Sequence, residues 1–448
     1  MGAISWPKLS GSAHARSPQA SNRPSVREAT AGITSIFLYW DSVSSFLVYA
    51  IAAAAIGGIF FRPRQWPEAV WACAGAVLLI ALRLVSVGAA MAAIGEGRDV
   101  YLFLAGMMML AELARRAGVF DWLAAIAAAH ARHSRARLFL LVYVVGTLVT
   151  VLLSNDATAV VLTPAVYAAV KRARATPLPY LLICAFIANA ASFVLPISNP
   201  ANLVVYGAAL PPLLTWLRNF ALPSALSIGA TFAILRLLTA RELRGSFEDD
   251  APPPRLTREG RRAAWGIGLA GVLLVGVSLA GRDLGPPIFA AAVMVAICVT
   301  WRIRGEFLGT LRGIAWSVLP LVAGLFVLVA ALEAQGAAHL VRMAFDRAGT
   351  LGASFGIAGL SNVMNNLPSG LLTRAALREA PVTGHLLAAL VIGVDLGPNL
   401  SVTGSLATIL WLIALRREGE SVSAWGFLKY GMLVMPPALL LATLAARV

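Results

Sequence analysis

The chain has few charged residues and almost no cysteine. Of its 448 residues, 13% are charged and 59% are hydrophobic, and the mean hydropathy is +0.79. A soluble globular domain has about a quarter of its residues charged, so this composition excludes one. Cys73, Cys184 and Cys298 lie in separate apolar segments without paired spacing, which excludes a disulfide framework and a zinc motif. We predict a polytopic membrane protein with no metal or cofactor.

The N-terminal segment has no apolar core of the kind that a secretion signal needs. Residues 1–31 are polar and contain four basic residues, so we expect a disordered basic tail that is retained. The net charge of +15 does not indicate nucleic-acid binding, because the Lys and Arg residues lie in short loops between apolar runs. Membrane lipid is the expected surrounding, and no nucleic-acid partner is predicted.

Long apolar runs predict eight membrane spans, since a spanning helix needs about 20 apolar residues. They are residues 44–61, 68–91, 99–114, 219–240, 263–280, 286–301, 313–333 and 425–445. Four further apolar segments are interrupted near the middle by polar residues, Pro or Gly. They form one pair in each half of the chain, 138–172 with 178–214 and 351–376 with 382–415.

The two pairs resemble each other in sequence. Residues 155–162 align with 365–372, and "NPANLVVYG" at 199–207 aligns with "LGPNLSVTG" at 396–404. A weakly amphipathic segment, expected to lie in the membrane interface, precedes the first interrupted segment of each half. The pattern indicates an internal duplication. Each half has three spans, an interfacial helix, a re-entrant hairpin, a broken span and a final span.

Five crossings per half is an odd number, so the halves must have opposite orientations, as in many secondary transporters. We predict an all-α polytopic membrane protein of about ten spans in two inverted repeats, residues 32–240 and 263–448, joined by a cytoplasmic linker at 241–262. With that linker inside, most of the 36 Lys and Arg residues face the cytoplasm and both termini lie outside. If the run at 33–40 also crossed, the tail would be inside.

Breaks in membrane helices expose backbone N–H and C=O groups, so they persist only where protein or water covers them. The residues at these breaks are typical of helix starts, with a polar cap and in most cases a nearby proline. They are Asn199 before Pro200, Asn366 before Pro368, Asp395 before Pro398, and Asn155 or Asp156 before "ATAVVL". We therefore expect four half-helix N-termini to meet near the membrane midplane.

Helix N-termini alone would favour an anion. Asp156 and Asp395 offset that field, so we predict a neutral, hydroxyl-bearing solute. An intramembrane carboxylate is a functional hypothesis by default. The alternatives are an N-cap for Asp156 and a structural hydrogen bond for Asp395. Amides donate and accept hydrogen bonds; the predicted substrate-binding residues are Asn155, Thr158, Asn199, Asn202, Asn365, Asn366 and Asn399. Glu112 and Glu333, at span ends, are expected to be solvated.

The motifs "SNDATAVVLTP", "MNNLP" and "GVDLGPNLSVTGSLATILWL" closely resemble the arsenite/antimonite efflux permeases, the arsenical pump membrane proteins of the ion transporter superfamily. The resemblance covers about residues 44–445 and is most specific at 393–412. It implies export of arsenite and antimonite, the hydroxides of trivalent arsenic and antimony, across the cytoplasmic membrane of a prokaryote by exchange with protons. Some family members also work with a soluble ATPase subunit. This chain has no P-loop, so any use of ATP would need that partner.

Two positions depart from the family pattern. Asn189 stands where an Asp is expected in a pattern like "FIAD", and Asn399 stands where many relatives have Lys after "DLGP". One acid and one base are lost together, so a proton route through these positions is in doubt, and Asp156 and Asp395 become the better candidates. The tip "SNPANL" also departs from the more usual "SNLVN".

Several rival functions are open on the sequence. The nearest is a related carrier for silicic acid, or a sodium-coupled anion or dicarboxylate carrier. A passive channel is a more distant rival. An intramembrane aspartyl protease is disfavoured, because "GVDLG" lacks the first glycine of the usual Gly-x-Gly-Asp motif. A thiol site for trivalent arsenic is disfavoured too, since no two cysteines share a local motif.

Overall fold

The computed structural model describes residues 26–247, 255–301, 305–380 and 382–446, and every regular element in these ranges is a helix. The predicted all-α fold is therefore confirmed. Residues 1–25 of the predicted basic tail lie outside the described ranges. The first helix begins at Val26, within the predicted tail.

Helices make up both halves of the described chain. In the first half they are α1 (Val26–Phe61), α2 (Glu68–Ala81), α3 (Val87–Glu96), α4 (Arg98–Arg116), α5 (Val119–His130), α6 (Arg135–Leu152), α7 (Asn155–Ala157), α8 (Thr163–Arg172), α9 (Leu178–Ala190), α10 (Pro200–Tyr206) and α11 (Leu213–Leu238). In the second half they are α12 (Arg258–Leu279), α13 (Gly285–Thr300), α14 (Glu306–Gly313), α15 (Val318–Ala334), α16 (Ala337–Met364), α17 (Asn366–Glu379), α18 (Gly384–Leu396), α19 (Leu406–Arg417) and α20 (Ala424–Ala445).

Five helical segments of the described chain are long and apolar enough to cross a membrane. They are α6, α11, α12, α20 and Glu306–Ala334, which contains α14 and α15. Several shorter helices, among them α9 and α13, are also apolar. The chain is thus a multi-pass membrane protein, as its composition predicts. The inversion of the two halves stays a prediction.

The predicted span at residues 68–91 is wrong as a single helix. α2 ends at Ala81 and α3 begins at Val87, and Arg83 between them has a φ of 57°. A residue with positive φ does not continue a right-handed helix. Ser86 then caps α3 by accepting a hydrogen bond from its backbone at 3.1 Å. Two short helices therefore replace one long helix here.

Both predicted hairpins are present. Hairpin 1 (residues 135–172) consists of α6, α7, a π-helical turn at Thr158–Leu162, and α8. Hairpin 2 (residues 350–379) consists of the end of α16 and α17. Gly349, with a φ of 65°, separates hairpin 2 from the predicted interfacial helix, which forms the start of α16. The two predicted broken helices are α9 with α10 and α18 with α19.

Hydrogen bonds at the two hairpin tips match residue by residue. Ser154 and Asn365 precede the second arm of each hairpin, and the carbonyl oxygen of each accepts a hydrogen bond from a hydroxyl four residues later. That hydroxyl belongs to Thr158 at 3.3 Å in hairpin 1 and to Ser369 at 2.8 Å in hairpin 2. The sequence alignment of Asn155 with Asn365 is therefore one residue out of register at the tip.

Beyond the tips the match shifts by one residue. Thr163 donates to the Ala159 carbonyl at 2.7 Å, and Thr373 donates to the Ser369 carbonyl at 2.7 Å. A π-helical turn accommodates more residues than an α-helical turn. The π-helical turn of hairpin 1 therefore restores the alignment of residues 155–162 with 365–372 that is lost at the tip.

The broken helices also pair differently from the sequence alignment. α9 and α18 each contain 13 residues, and the helices that follow them are capped by Asn199 and Ser405. Asn189 and Asp395 occupy the same place in these two 13-residue helices. By helix length and cap, Asn202 corresponds to Thr408 instead of Asn399, the residue with which the sequence alignment pairs it.

The described start of the linker is tied to the connection between α5 and α6. The Phe247 N–H donates to the His133 carbonyl at 2.9 Å, and His133 Nδ1 lies 3.1 Å from the Phe247 carbonyl oxygen. An isolated antiparallel bridge joins Ser134 to Ser246. These two segments therefore lie at the same end of the helices, while residues 248–254 of the linker lie outside the described ranges.

Candidate functional site

A cavity of about 600 Å³ lies between hairpin 1 and helices α4, α15 and α19. Its inner end is formed by Ser154, Asp156, Pro200 and Leu406, which stand at the starts of α7, α10 and α19. Two of the four expected half-helix N-termini, those of α7 and α10, thus meet at one space, and the third start there is that of α19, which was expected earlier in the chain at Asp395. The cavity extends along α4 toward an opposite, charged end, lined by Glu112, Arg115, Arg417 and Glu418.

Polar side chains cap all four half-helices. Ser154 caps α7, Asn199 caps α10, Asn365 caps α17 and Ser405 caps α19. Each accepts a hydrogen bond from a backbone N–H, at 3.0 Å for Asn199 and 3.1 Å for Ser154. Asn199 is the predicted cap of its helix. The caps of the two hairpins come before the residues predicted from sequence, and Asp395 caps no helix.

Asp156 is the predicted residue whose carboxylate lies in the cavity wall. It is only partly buried, and among the described residues its carboxylate has no hydrogen-bond or ion-pair partner. The N-cap alternative is excluded, since Ser154 holds that position. Its carboxylate is therefore free to interact with a solute or a proton in the cavity.

Asp395 lies elsewhere. It is fully buried and absent from the cavity wall, and its Oδ1 accepts a hydrogen bond from Asn199 Nδ2 at 2.9 Å. That bond joins the two broken helices, since Asn199 caps α10 and Asp395 lies near the end of α18. Asp395 therefore makes a structural hydrogen bond at the back of a helix start that faces the cavity, and its part in proton coupling stays a prediction.

The remaining predicted substrate-binding residues are buried outside the cavity wall. They are Asn155, Thr158, Asn199, Asn202, Asn365, Asn366 and Asn399. Their hydrogen bonds hold the interrupted elements together: Asn202 Nδ2 donates to the Ser192 carbonyl at 2.9 Å, and the Asn366 N–H donates to the Gly404 carbonyl at 3.0 Å. These residues position the inner end of the cavity, and direct contact with a solute stays a prediction.

The two positions that depart from the family pattern touch each other. Asn189 Nδ2 donates to Asn399 Oδ1 at 3.0 Å, and Asn399 Nδ2 donates to the Phe186 carbonyl at 2.9 Å. Asn189 Nδ2 also lies 3.4 Å from Thr408 Oγ1. A neutral amide pair thus stands, fully buried, where the resemblance implies an acid and a base. The loss of the two charges is a single change in one contact between α9 and the break after α18.

Sequence reasoning missed much of the cavity wall. Glu112, expected to be solvated, is 7% exposed and forms two hydrogen bonds of 2.7 Å with Arg115. The three-residue spacing of an acid and a base on α4 is a signal that could have found this pair. The apolar wall includes Met107, Met108 and Val161. No sequence motif marks these three side chains, because packing alone decides that they face the cavity.

The charges of the cavity are unevenly placed. Arg115 and Arg417 lie at the charged end, together with Glu112 and Glu418, whereas Asp156 is the charged residue at the inner end. A carboxylate without a cationic neighbour is unfavourable for an anionic ligand. The described residues contain no group of three His, Cys, Asp or Glu side chains that could hold a metal ion.

Comparison with known proteins gives a family for this fold and site. The sequence profile of the CitMHS family, described as citrate transporter, matches residues 48–394. An arsenical pump membrane protein of Yersinia enterocolitica is 31% identical over 365 residues, which cover 76% of this chain and 83% of that protein. An arsenical pump membrane protein of Escherichia coli is 29% identical over 427 residues, covering 89% and 97%.

A solved structure shows the same fold. The YdaH transporter of Alcanivorax borkumensis, whose crystal structure reveals an unusual topology, superposes with a TM-score of 0.52 at 15% sequence identity. The match covers 79% of this chain and 86% of that one. The chain is therefore a membrane transporter that belongs to the CitMHS family and, within it, to the arsenical pump membrane proteins.

Proposed function

We propose that this protein exports arsenite and antimonite from the cytoplasm in exchange for protons. The observation that supports this most is the inner end of the cavity, where three capped helix starts and Asp156 surround a space and both arginines of the described wall lie at the other end. The hydroxides of trivalent arsenic and antimony are small and neutral. Such a solute offers hydroxyl donors to Asp156 and oxygen acceptors to the backbone N–H groups of the helix starts.

Asp156 is the residue we assign to proton exchange. Burial beside apolar residues disfavours the charged form of a carboxylate, whereas hydroxyl donors of a bound solute favour it. A carboxyl group that takes a proton when the cavity is empty and releases it when the solute binds links the two movements. Asp395 contributes by holding Asn199, the cap of α10, through its 2.9 Å hydrogen bond.

The same cavity argues against a polyanion such as citrate. Carboxylate ligands are usually held by Arg or Lys, often in bidentate pairs. Both arginines of the cavity wall lie at its charged end, and one of them is already paired with Glu112. A carboxylate brought to the inner end would face Asp156 without a compensating charge.

The test is arsenite accumulation in everted membrane vesicles that contain the full chain and carry an imposed proton gradient, acid inside. We expect accumulation that collapses with a protonophore and needs neither ATP nor sodium. The Asp156→Asn variant should lose at least tenfold in gradient-driven accumulation, and Asp395→Asn should lose less. Asp346→Asn, the same change at an exposed residue of α16 paired with Arg342, is the matched control and should be unaffected.

The outcomes separate the rivals. Accumulation of citrate with sodium, and none of arsenite, in correctly folded protein overturns the proposal. A dependence on added soluble ATPase would assign the energy to that partner instead of to protons. Equal transport by wild type and Asp156→Asn would remove Asp156 from the coupling step.

A further inference from the structure

At the end of α15 opposite the cavity, hairpin 2 is held by ion pairs. Glu96, the last residue of α3, accepts a hydrogen bond from Arg378 Nη2 at 2.8 Å and lies 3.4 Å from Arg374 Nη2. Both arginines belong to α17, the second arm of hairpin 2. We call Glu96, Arg374 and Arg378 the clamp.

Arg374 of the clamp also packs against the end of α10, the second part of a broken helix. Gly207, which follows α10, has a φ of 54°, and a Cβ atom there would lie 2.5 Å from Arg374 Cζ. The Arg374 side chain is 15% exposed, so its guanidinium group is pressed between Gly207 and Glu96. The space left beside the clamp, lined by Phe326 and Glu333 of α15 among others, is about 40 Å³. That is room for little more than one water molecule.

The two hairpins therefore stand differently against the same helices. Val318, at the start of α15, lines the 600 Å³ cavity, and Glu333, near its end, lines the 40 Å³ space. Fifteen residues of α-helix separate the two by about 22 Å. Hairpin 1 is separated from α4 and α15 by open space, whereas hairpin 2 is packed beside α15 and ion-paired to α3.

The ion pairs at the cavity end do not involve hairpin 1. Among the described residues, Glu112 pairs with Arg115 within α4, and Arg116 pairs with Glu306 between α4 and α14. The ion pairs that join a hairpin to α3, α4 or α15 in the described chain are those of the clamp. The two hairpins therefore differ in their ion pairs to these helices as well as in the volume of the space beside them.

We propose that the clamp acts as a latch: Glu96, Arg374 and Arg378 hold hairpin 2 against α3 and α15. The cavity is then open at hairpin 1 alone. This rests on the proposed function in one respect: a transporter must expose its site to the two sides in turn. Release of solute at the far side requires hairpin 2 to separate from α15, and the latch must break for that to occur. These residues position hairpin 2 and do not touch the solute.

The expected effect is modest, because the pairs are partly exposed. Glu96 and Arg378 are each nearly half exposed, and an ion pair in that setting stabilises by up to about 1 kcal/mol. That corresponds to about a fivefold change in the ratio of the two states. A fivefold change is measurable as a change in the rate of chemical labelling.

The experiment uses the full chain with Cys73 and Cys298 replaced by Ser, purified in detergent and reacted with a water-soluble maleimide. One reporter is Ala157→Cys in the cavity, and the other is Ala375→Cys beside the clamp. In the parent, we expect Ala157→Cys to react faster. Adding Glu96→Gln should raise the rate at Ala375→Cys and lower the rate at Ala157→Cys, so that the ratio of the two rates changes by up to about fivefold.

The matched control is Glu306→Gln, which removes an ion pair of similar exposure between α4 and α14 and touches no hairpin. It should leave both labelling rates unchanged. If Glu96→Gln does not fold, Arg378→Gln retains the Arg374 pair and should give a smaller shift in the same direction.

Opposite changes at the two reporters support the latch. Unchanged rates, or an increase at both reporters, overturn it, because the second result reports general loosening. An equal shift in the Glu306→Gln control overturns it as well. Labelling needs no substrate, so the latch stands or falls independently of whether arsenite is the solute.

Discussion

The tips of the two hairpins are built alike and placed unlike. Each begins its second arm with a capping side chain, Ser154 or Asn365, followed by a hydroxyl bonded to the carbonyl of the cap. The first tip opens on the 600 Å³ cavity. The second is packed beside Leu406 and Glu68, where about 10 Å³ is free. Tip chemistry alone therefore does not make a site; what packs against the tip decides whether it receives a solute or closes the protein.

The largest expected loss of stability lies at the buried contact between Asn189 and Asn399. Replacing Asn189 with Asp would bury a carboxylate beside Asn399 without a cation, and an uncompensated buried charge costs about 3–5 kcal/mol. We expect Asn189→Asp to lower the apparent Tm strongly in detergent. Adding Asn399→Lys should restore much of that loss by supplying the opposite charge. A double variant no more stable than the single one would contradict the contact between these positions.

A change at the closed end should have the next largest effect. Gly207→Ala places a methyl group against the Arg374 guanidinium at a residue with positive φ, which should cost roughly 2–3 kcal/mol. Gly118→Ala is a control for positive φ alone, because Gly118, in the left-handed helical region with φ 70° and ψ 22°, has no atom within 4 Å of the added Cβ, whereas Gly207 has φ 54° and ψ −132°. It should cost about 1 kcal/mol for the backbone alone. Equal shifts in apparent Tm for the two variants would mean that Arg374 does not pack tightly there.

Removal of the helix caps should give the smallest difference in stability loss between the open and the closed end. Ser154→Ala leaves backbone N–H groups that water in the cavity can reach, so we expect a loss of about 1 kcal/mol or less. Asn365→Ala removes a cap in a packed region and forces Ala to a φ of 77°, for about 2 kcal/mol. Asn365→Gly should recover most of that difference, since glycine accepts the backbone conformation. A larger loss for Ser154→Ala in thermal unfolding would reverse the assignment of open and closed ends.

Much of the fold could be predicted from the sequence, because polar residues inside long apolar runs mark breaks that only a covered interior tolerates. The places of both hairpins and of both broken helices follow from that rule. The split between α2 and α3 could not be predicted, since it depends on the backbone conformation of one residue, Arg83. Nor could the caps of the hairpins, because Ser, Asn and Asp stand side by side and all cap helices well.

The site depends more on packing than the fold does. Sequence reasoning selects polar residues near breaks, but it cannot tell which of them face a space and which face each other. Asp156 lines the cavity, whereas Asn202 and Asn399 form hydrogen bonds within the protein. Glu112 and Arg115 lie in the cavity wall although they are near no helix break. They stand at the end of an ordinary span, and only the packing of α4 beside α15 and α19 brings them into the wall.

The two hairpins differ in the length of their second arm as well as in residue type, because hairpin 1 contains the π-helical turn at Thr158–Leu162. One extra residue would rotate every later residue of a regular helix by about 100° around its axis, but a wider π-helical turn takes up the extra residue locally. In hairpin 1 this turn comes just before Pro164, which lines the cavity, and hairpin 2 has no such turn in its described residues. Beyond the turn, Thr163 donates to the carbonyl four residues back, as Thr373 does in hairpin 2. One residue is therefore gained between the tip and the rest of the arm while the arm beyond keeps the hydrogen-bond pattern of hairpin 2.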